Sequence, residues 1–321
     1  MRSIQTTIAY PLSSVKPLEG LLGYRTFCFE ALQRARAKGK NQRTQSPING
    51  APLVPIGSVG GFHYGRCPKT GGLFLMDLPS PESWPGLLAE TTRYRHAPKG
   101  FHAAVSGSRT ENVYAPKLDW IQTTLRLQEI RQPNILEVTT PPSDFSSLLN
   151  QSGFFRSVTT VNEMDLCRQT GPAAADPFHA AVLLESLDRV DDPGALLAAV
   201  RNRLEPDGLL FLTALVSSGF DLCVLGLNNL YLCPPDRANC FSLQGLETFL
   251  KEAGFKLIEV STPGVLDLEI VQAHMRHDPE IRLSDFEHRL LSSDEETRRA
   301  FQSFLQERGL SSFARIVGRK I

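Results

Sequence analysis

Residues 135–149 read ILEVTTPPSDFSSLL. An apolar, β-branched run leads through the turn TTPPS into the opening of a helix, and this reading decides the fold. Turns between a strand and a helix often hold a nucleotide-type cofactor on bare glycine backbone. Here the turn holds two threonines, two prolines and a serine.

Outward from that stretch the chain alternates. NILEV, SDFSSLLNQSG and SVTTV predict strand, helix and strand; HAAVLLESL, DPGALLAAVRNRLEPDG and LLFLTAL predict the same order again. Asp192 and Pro193 open the second helix and Gly208, after Pro206, ends it. FSLQGLETFLKEAGFKLIEVSTP adds a helix opened by Ser242 and closed by Gly254, then a strand, and the tail from Leu283 predicts two helices and a final edge strand. Such alternation argues for an α/β fold, an open and mostly parallel Rossmann-like sheet with helices on both faces. Ahead of it, residues 18–40 predict a helix running into the basic stretch RARAKGKNQR, expected as a solvated helix end. Residues 46–82, rich in Gly and Pro with short β-type runs, predict a small hairpin module, in which the glycines of GSVGGFHYG serve hairpin turns. The expected divisions are a helical segment over 1–45, the module over 46–82, a helical connector over 83–132 and the main domain over 133–321.

Composition narrows the partners. The 321 residues carry 34 Lys plus Arg against 34 Asp plus Glu, so no overall field favours nucleic acid or an anionic membrane. No segment reaches the roughly 20 apolar residues of a membrane span, and the N-terminus lacks a signal-type core; the expectation is a cytoplasmic protein with no nucleic-acid or membrane partner. The six cysteines have no paired spacing and read as free thiols, mostly small buried hydrophobes.

Residues 179–215, 234–271 and 301–320, beginning HAAVLLESL, PPDRANC and FQSFLQERG, together resemble the class I S-adenosylmethionine-dependent methyltransferases. The nearest subgroup carries a zinc ribbon before the Rossmann-like domain and is linked to sugar and surface-polysaccharide modification. The resemblance runs from about Ser46 to Ile321, and against it several positions depart. The family's Gly-x-Gly-x-Gly turn falls on Thr139, Pro141 and Ser143, where a branched side chain and a proline replace the backbone against which the cofactor lies. Loops vary, but three coincident changes, one of them a proline, favour a lost cradle over ordinary drift. Asn162 stands where the family places the acidic residue that grips the ribose, with Glu163 one residue late. Residues 162–177 are too few for the helix, strand and adenine-contacting loop that the family needs there, which implies a shortened or deleted element. Of the ribbon's ligand places, Ser46, Asn49 and Thr70 stand beside a single Cys67, with His63 nearby as a strand residue, so a ribbon without metal is expected. Three family histidines fall on Arg189, Arg237 and Phe313, which cannot accept a proton near neutral pH.

The resemblance thus implies a degenerate, zinc-free methyltransferase-fold protein without bound cofactor, acting through a partner, such as an intact methyltransferase or another protein, or through a ligand such as a sugar phosphate gripped by Arg189 and Arg237. The alternative is an active methyltransferase whose S-adenosylmethionine is held by Glu137, Thr139, Ser143, Glu163 and the backbone near Leu184 and Glu185. Asp188 or Asp236 would then serve as base. A third possibility, unrelated chemistry in the same pocket, finds no nucleophile and base at suggestive spacing.

Overall fold

The computed structural model of the chain describes residues 10–98, 100, 102–168 and 177–321. Two helices come first, α1 (Leu12–Val15) and α2 (Leu18–Lys38). On α2 the buried residues Leu21, Tyr24, Cys28, Ala31, Leu32 and Ala35 recur every three or four positions, so one stripe meets the core. The basic stretch after it is only partly solvated. Arg36 pairs with Asp77 at 3.1 Å, and the buried Arg43 donates to the carbonyls of Ala238 and Asp191 and to Asn239 Oδ1. These two arginines tie the N-terminal segment to the rest of the molecule, Arg36 through a carboxylate and Arg43 through two backbone carbonyls and an amide oxygen.

The hairpin module follows, with β1 (Lys40–Gln42), β2 (Val54–Val59), β3 (Phe62–Arg66), β4 (Leu73–Leu75) and β5 (Asp77–Pro79). Gly60 and Gly61 turn β2 into β3 with φ of 59° and 83°, the left-handed pair that a two-residue hairpin needs. Two tight turns face each other beneath the strands: Gly50 N donates to Ser46 O at 2.9 Å, and Gly71 N to Cys67 O at 2.8 Å. Cys67 Sγ lies 3.8 Å from Asn49 Oδ1. Burial acts to raise its thiol, but hydrogen bonds from Thr70 and Ser46 outweigh this and lower it. The four places of the expected ribbon therefore converge, on hydroxyls, an amide and one sulfur. His63 is exposed on β3, with Nδ1 2.7 Å from Asp77 Oδ2. Among the described residues no group of three or more His, Cys, Asp or Glu could hold a metal ion.

Helices α3 (Trp84–His96), α4 (Ser106–Arg109) and α5 (Ala115–Leu127) lead to the main sheet. In chain order it comprises β6 (Asn134–Val138), α6 (Asp144–Gln151), β7 (Ser157–Val161), α7 (Glu163–Cys167), β8 (Phe178–Leu184), α8 (Pro193–Arg203), β9 (Leu204–Leu215), α9 (Phe220–Leu225), the short β10 (Asn239–Cys240), α10 (Leu243–Glu252) and β11 (Phe255–Ser261). Next come α11 (Asp267–His277), α12 (Asp285–Leu291), α13 (Glu295–Glu307) and β12 (Phe313–Lys320). The six-stranded order is β11-β12-β9-β8-β6-β7, and β10 joins the module's sheet beside β4. Strands β7, β6, β8 and β9 run parallel. Successive residues go to opposite faces: Leu136, Ala181, Leu210 and Ile316 pack towards α8 and α10, while Ile135, Ala180, Phe211 and Val317 pack towards α5 and α6. The fold is α/β, with helices on both faces of a mixed, Rossmann-like sheet.

Three expectations are corrected. The final strand is interior: β12 lies antiparallel between β9 and β11, because Ala314 and Ile316 on one face and Val317 on the other are apolar and only an interior position covers both. Helix α8 stops at Arg203, since Leu204 already pairs with Phe178. The chain then bulges through residues 205–208 before Leu209 meets Ala180, and Asp207, at φ 61°, takes the turn conformation expected of Gly208. Between β7 and β8 the described residues hold one short helix, α7, and no strand; residues 169–176 lie outside them. Among the described residues no helix is long and apolar enough to cross a membrane.

Candidate functional site

A cavity of about 250 Å³ opens where the carboxyl ends of β6 and β8 meet the start of β12. Parallel strands end there with their last residues pointing into a crevice that no helix fills, the usual place for a ligand in an open α/β sheet. Residues from α1 and α2, the end of α3 and the starts of α5 and α11 complete its walls.

One wall is the turn TTPPS, and its polar groups are used within the protein. Thr139 N donates to Val161 O at 3.0 Å. Glu137, 3% exposed at the end of β6, accepts hydrogen bonds from Ser143 Oγ (3.2 Å), Thr160 Oγ1 (3.0 Å) and Ser146 Oγ. Burial raises its carboxyl above the ordinary range, against the pull of those three hydroxyls. Ser143 also caps α6, accepting from Ser146 N at 3.3 Å. Asn162 caps α7 in the same way, accepting from Met164 N at 2.8 Å. Glu163 begins α7 with no exposed surface; Thr140 Oγ1 donates to its Oε2 at 2.5 Å, while its Oε1 finds no hydrogen-bond partner among the described residues. Of the residues singled out in the sequence, Glu137, Thr139, Ser143 and Leu184 therefore border the cavity and Glu163 does not.

A second wall is built from arginine and carboxylate pairs. Asp236 accepts from Tyr24 OH at 2.7 Å and pairs with Arg95 and with Arg189, whose Nε lies 3.4 Å away. Burial would raise the Asp236 carboxyl, but the two guanidinium groups and the tyrosine hold it below its ordinary value. Arg237 pairs with Glu185 and reaches Asp188 Oδ2 at 3.1 Å. Asp188 has no exposed surface, accepts from Leu215 N at 3.0 Å, and is pushed up to about 8 by burial, Arg237 opposing and Glu185 reinforcing the rise. Asp236 borders the cavity and Asp188 does not. Arg189 and Arg237 are thus engaged by carboxylates, which leaves them poorly placed to grip an incoming anion. In the tail motif, Ser311 Oγ and the N and Oγ of Ser312 donate to buried Asp267 at 2.6 to 3.0 Å, which fixes Phe313 at the cavity edge.

The third wall holds residues that sequence reasoning missed. Lys16, Arg109, Lys117 and Arg315 all border the cavity. A signal existed for two of them. Arg315 interrupts the apolar run of β12 and Lys117 the apolar face of α5, and a cation inside such a pattern is rarely buried without a purpose.

Residues 111–260, which supply β6 to β10 and all but the last residue of β11, match the model of a family described as a methyltransferase domain. No curated protein matches. Among solved structures, the chain is similar to 1,6-didemethyltoxoflavin-N1-methyltransferase of Burkholderia thailandensis, at 11% identity and a TM-score of 0.42 over 83% of this chain and 98% of that one. It is also similar to a cyclopropane synthase of Mycobacterium tuberculosis, at 13% identity and a TM-score of 0.40 over 65% and 85% of the two chains. Residues 111–260 are thus similar in sequence to a methyltransferase domain, and the sheet they largely build is Rossmann-like in topology.

Proposed function

We propose that the domain binds a small ligand or partner and no longer transfers a methyl group. One observation carries this reading: the groups that border the cavity at the end of β6 are already satisfied from within. Glu137 is held by three hydroxyls and the Thr139 amide by Val161. A ligand seated there must break those bonds and leave buried donors and acceptors unpaired, at about 1–3 kcal/mol for each. The residues present do not fit the cofactor, and no methyl-transfer step is derived for them.

The bases point the same way. Asp236 is neutralised by two arginines and Asp188 is sealed from the cavity. The convergence of Ser46, Asn49, Cys67 and Thr70 supports descent from the zinc-ribbon subgroup, with hydrogen bonds replacing the metal; elemental analysis giving one zinc per chain would refute that. An active methyltransferase remains the second reading, favoured by the cavity's place at the end of β6 and by the match over residues 111–260. Calorimetric titration with S-adenosylmethionine and S-adenosylhomocysteine separates the two. No heat of binding at millimolar ligand is expected, and micromolar affinity would overturn the proposal.

A further inference from the structure

We infer that the third wall is a binding site for an oxyanion, the carboxylate or phosphate of a small molecule, received between Arg109, Lys117 and Arg315. The inference rests on the binding role proposed above and gives its ligand a chemistry. Arg109 is 9% exposed, Lys117 3% and Arg315 7%, and all three border the cavity. Among the described residues no carboxylate lies within ion-pair distance of Arg109, Arg315 or the neighbouring Lys16; Lys117 Nζ is 3.7 Å from Glu185 Oε1, an acid already paired with Arg237. Among the described residues Arg315 Nε has no hydrogen-bond partner.

Aromatic rings supply part of what carboxylates do not. The Arg109 guanidinium stands 5.3 Å from the centre of Tyr114, Lys117 Nζ 4.9 Å from that of Phe313, and the Arg315 guanidinium 5.4 Å from that of Trp120. Arg109 also donates to Val15 O at 2.9 Å and to Tyr114 OH at 3.2 Å, but neither a ring face nor a neutral oxygen supplies the negative charge that a buried cation lacks. Buried charge without a counter-charge is costly, and an anion that enters answers it at once. Burial lowers both Lys117, to about 8, and Arg315, and the neighbouring cations reinforce the fall at Lys117; a bound anion would reverse both shifts. Arginine suits such a role because its flat fork matches two oxygens of a carboxylate or phosphate together.

The test uses the whole chain with inorganic phosphate, benzoate and, as the neutral counterpart, benzamide, each followed by calorimetry. At least one anion is expected to bind with a submillimolar dissociation constant and benzamide not to bind; which anion binds distinguishes phosphate from carboxylate. Arg315→Met and Lys117→Met should each weaken binding at least tenfold, while Arg126→Met, on the outer end of α5, leaves it unchanged. On the wild-type protein, which needs no variant to fold, the preferred anion should raise the thermal midpoint above that in chloride of equal ionic strength. Silence with both anions, equal binding of benzamide, or undiminished binding by the two methionine variants would overturn the inference. Binding of S-adenosylhomocysteine beside intact anion binding would instead overturn the role proposed above and leave this site standing.

Discussion

The two ends of the cavity treat buried charge in opposite ways. At the end of β6, each acid is met by side chains of its own neighbourhood: Glu137 by Ser143, Ser146 and Thr160, Glu163 by Thr140. Across the cavity, Lys16, Arg109 and Arg315 have rings and carbonyls near them but no carboxylate within 4 Å among the described residues. A buried polar group that already has its partners resists a ligand, whereas one without them invites it. The difference locates binding by what each wall lacks, and it separates two positions that resemblance alone treats as one pocket.

The comparison can be broken first at the network between the walls. Arg237→Met takes from Asp188 the cation that opposes its rise and leaves Glu185 with Lys117 alone, and a loss of about 3–5 kcal/mol is expected from denaturant unfolding. At the closed end, Thr140→Ala strips Glu163 of its hydroxyl donor and should cost about 1–3 kcal/mol, read as a lower urea midpoint with an unchanged slope. A titration sharpens the picture further. Asp188, near 8 when folded against 3.8 as a free side chain, keeps a proton in the native state that the unfolded chain releases. Its contribution to stability therefore falls as pH rises from about 4 to about 8, by at most about 1.4 kcal/mol per unit. Asp188→Asn should remove that fall, so identical pH profiles for variant and wild type would refute the assignment. The smallest effect is expected at the basic end: Arg315→Met removes a buried cation that has no carboxylate within ion-pair distance among the described residues, Glu259 and Asp119 acting only from further off, so the ligand-free protein should change by less than about 1 kcal/mol or gain stability. A loss as large as that of Arg237→Met would erase the contrast.

Much of the frame was legible in the chain. The caps stand where the sequence places them, Asp192 accepting from Ala195 N at 2.9 Å and Ser242 from Gly245 N at 3.0 Å, because short polar side chains before an apolar stripe have few other uses. The strands β6, β8 and β9 were visible as apolar runs broken by turn residues. What the sequence concealed was tertiary. That β12 slips between β9 and β11 depends on which edges are open when it arrives, although Ala314, Ile316 and Val317, apolar on both faces around Arg315, hinted at an interior position. The fate of Arg189 and Arg237 was equally hidden, since their carboxylates, Asp236 and Glu185, become partners only through the return of the chain. Arg109, Lys117 and Arg315 come from the end of one helix, the start of another and a late strand, and no spacing in the sequence joins them.

The position of β12 also bears on biosynthesis. Strands β9 and β11 leave the ribosome with a gap between them that only residues 313–320 can occupy. Until those residues emerge, two unpaired borders face solvent or a chaperone, and the cavity lacks Arg315 and Phe313. Nascent chains halted before this point should be captured as sticky intermediates, and ligand recognition should arise only as a post-translational event.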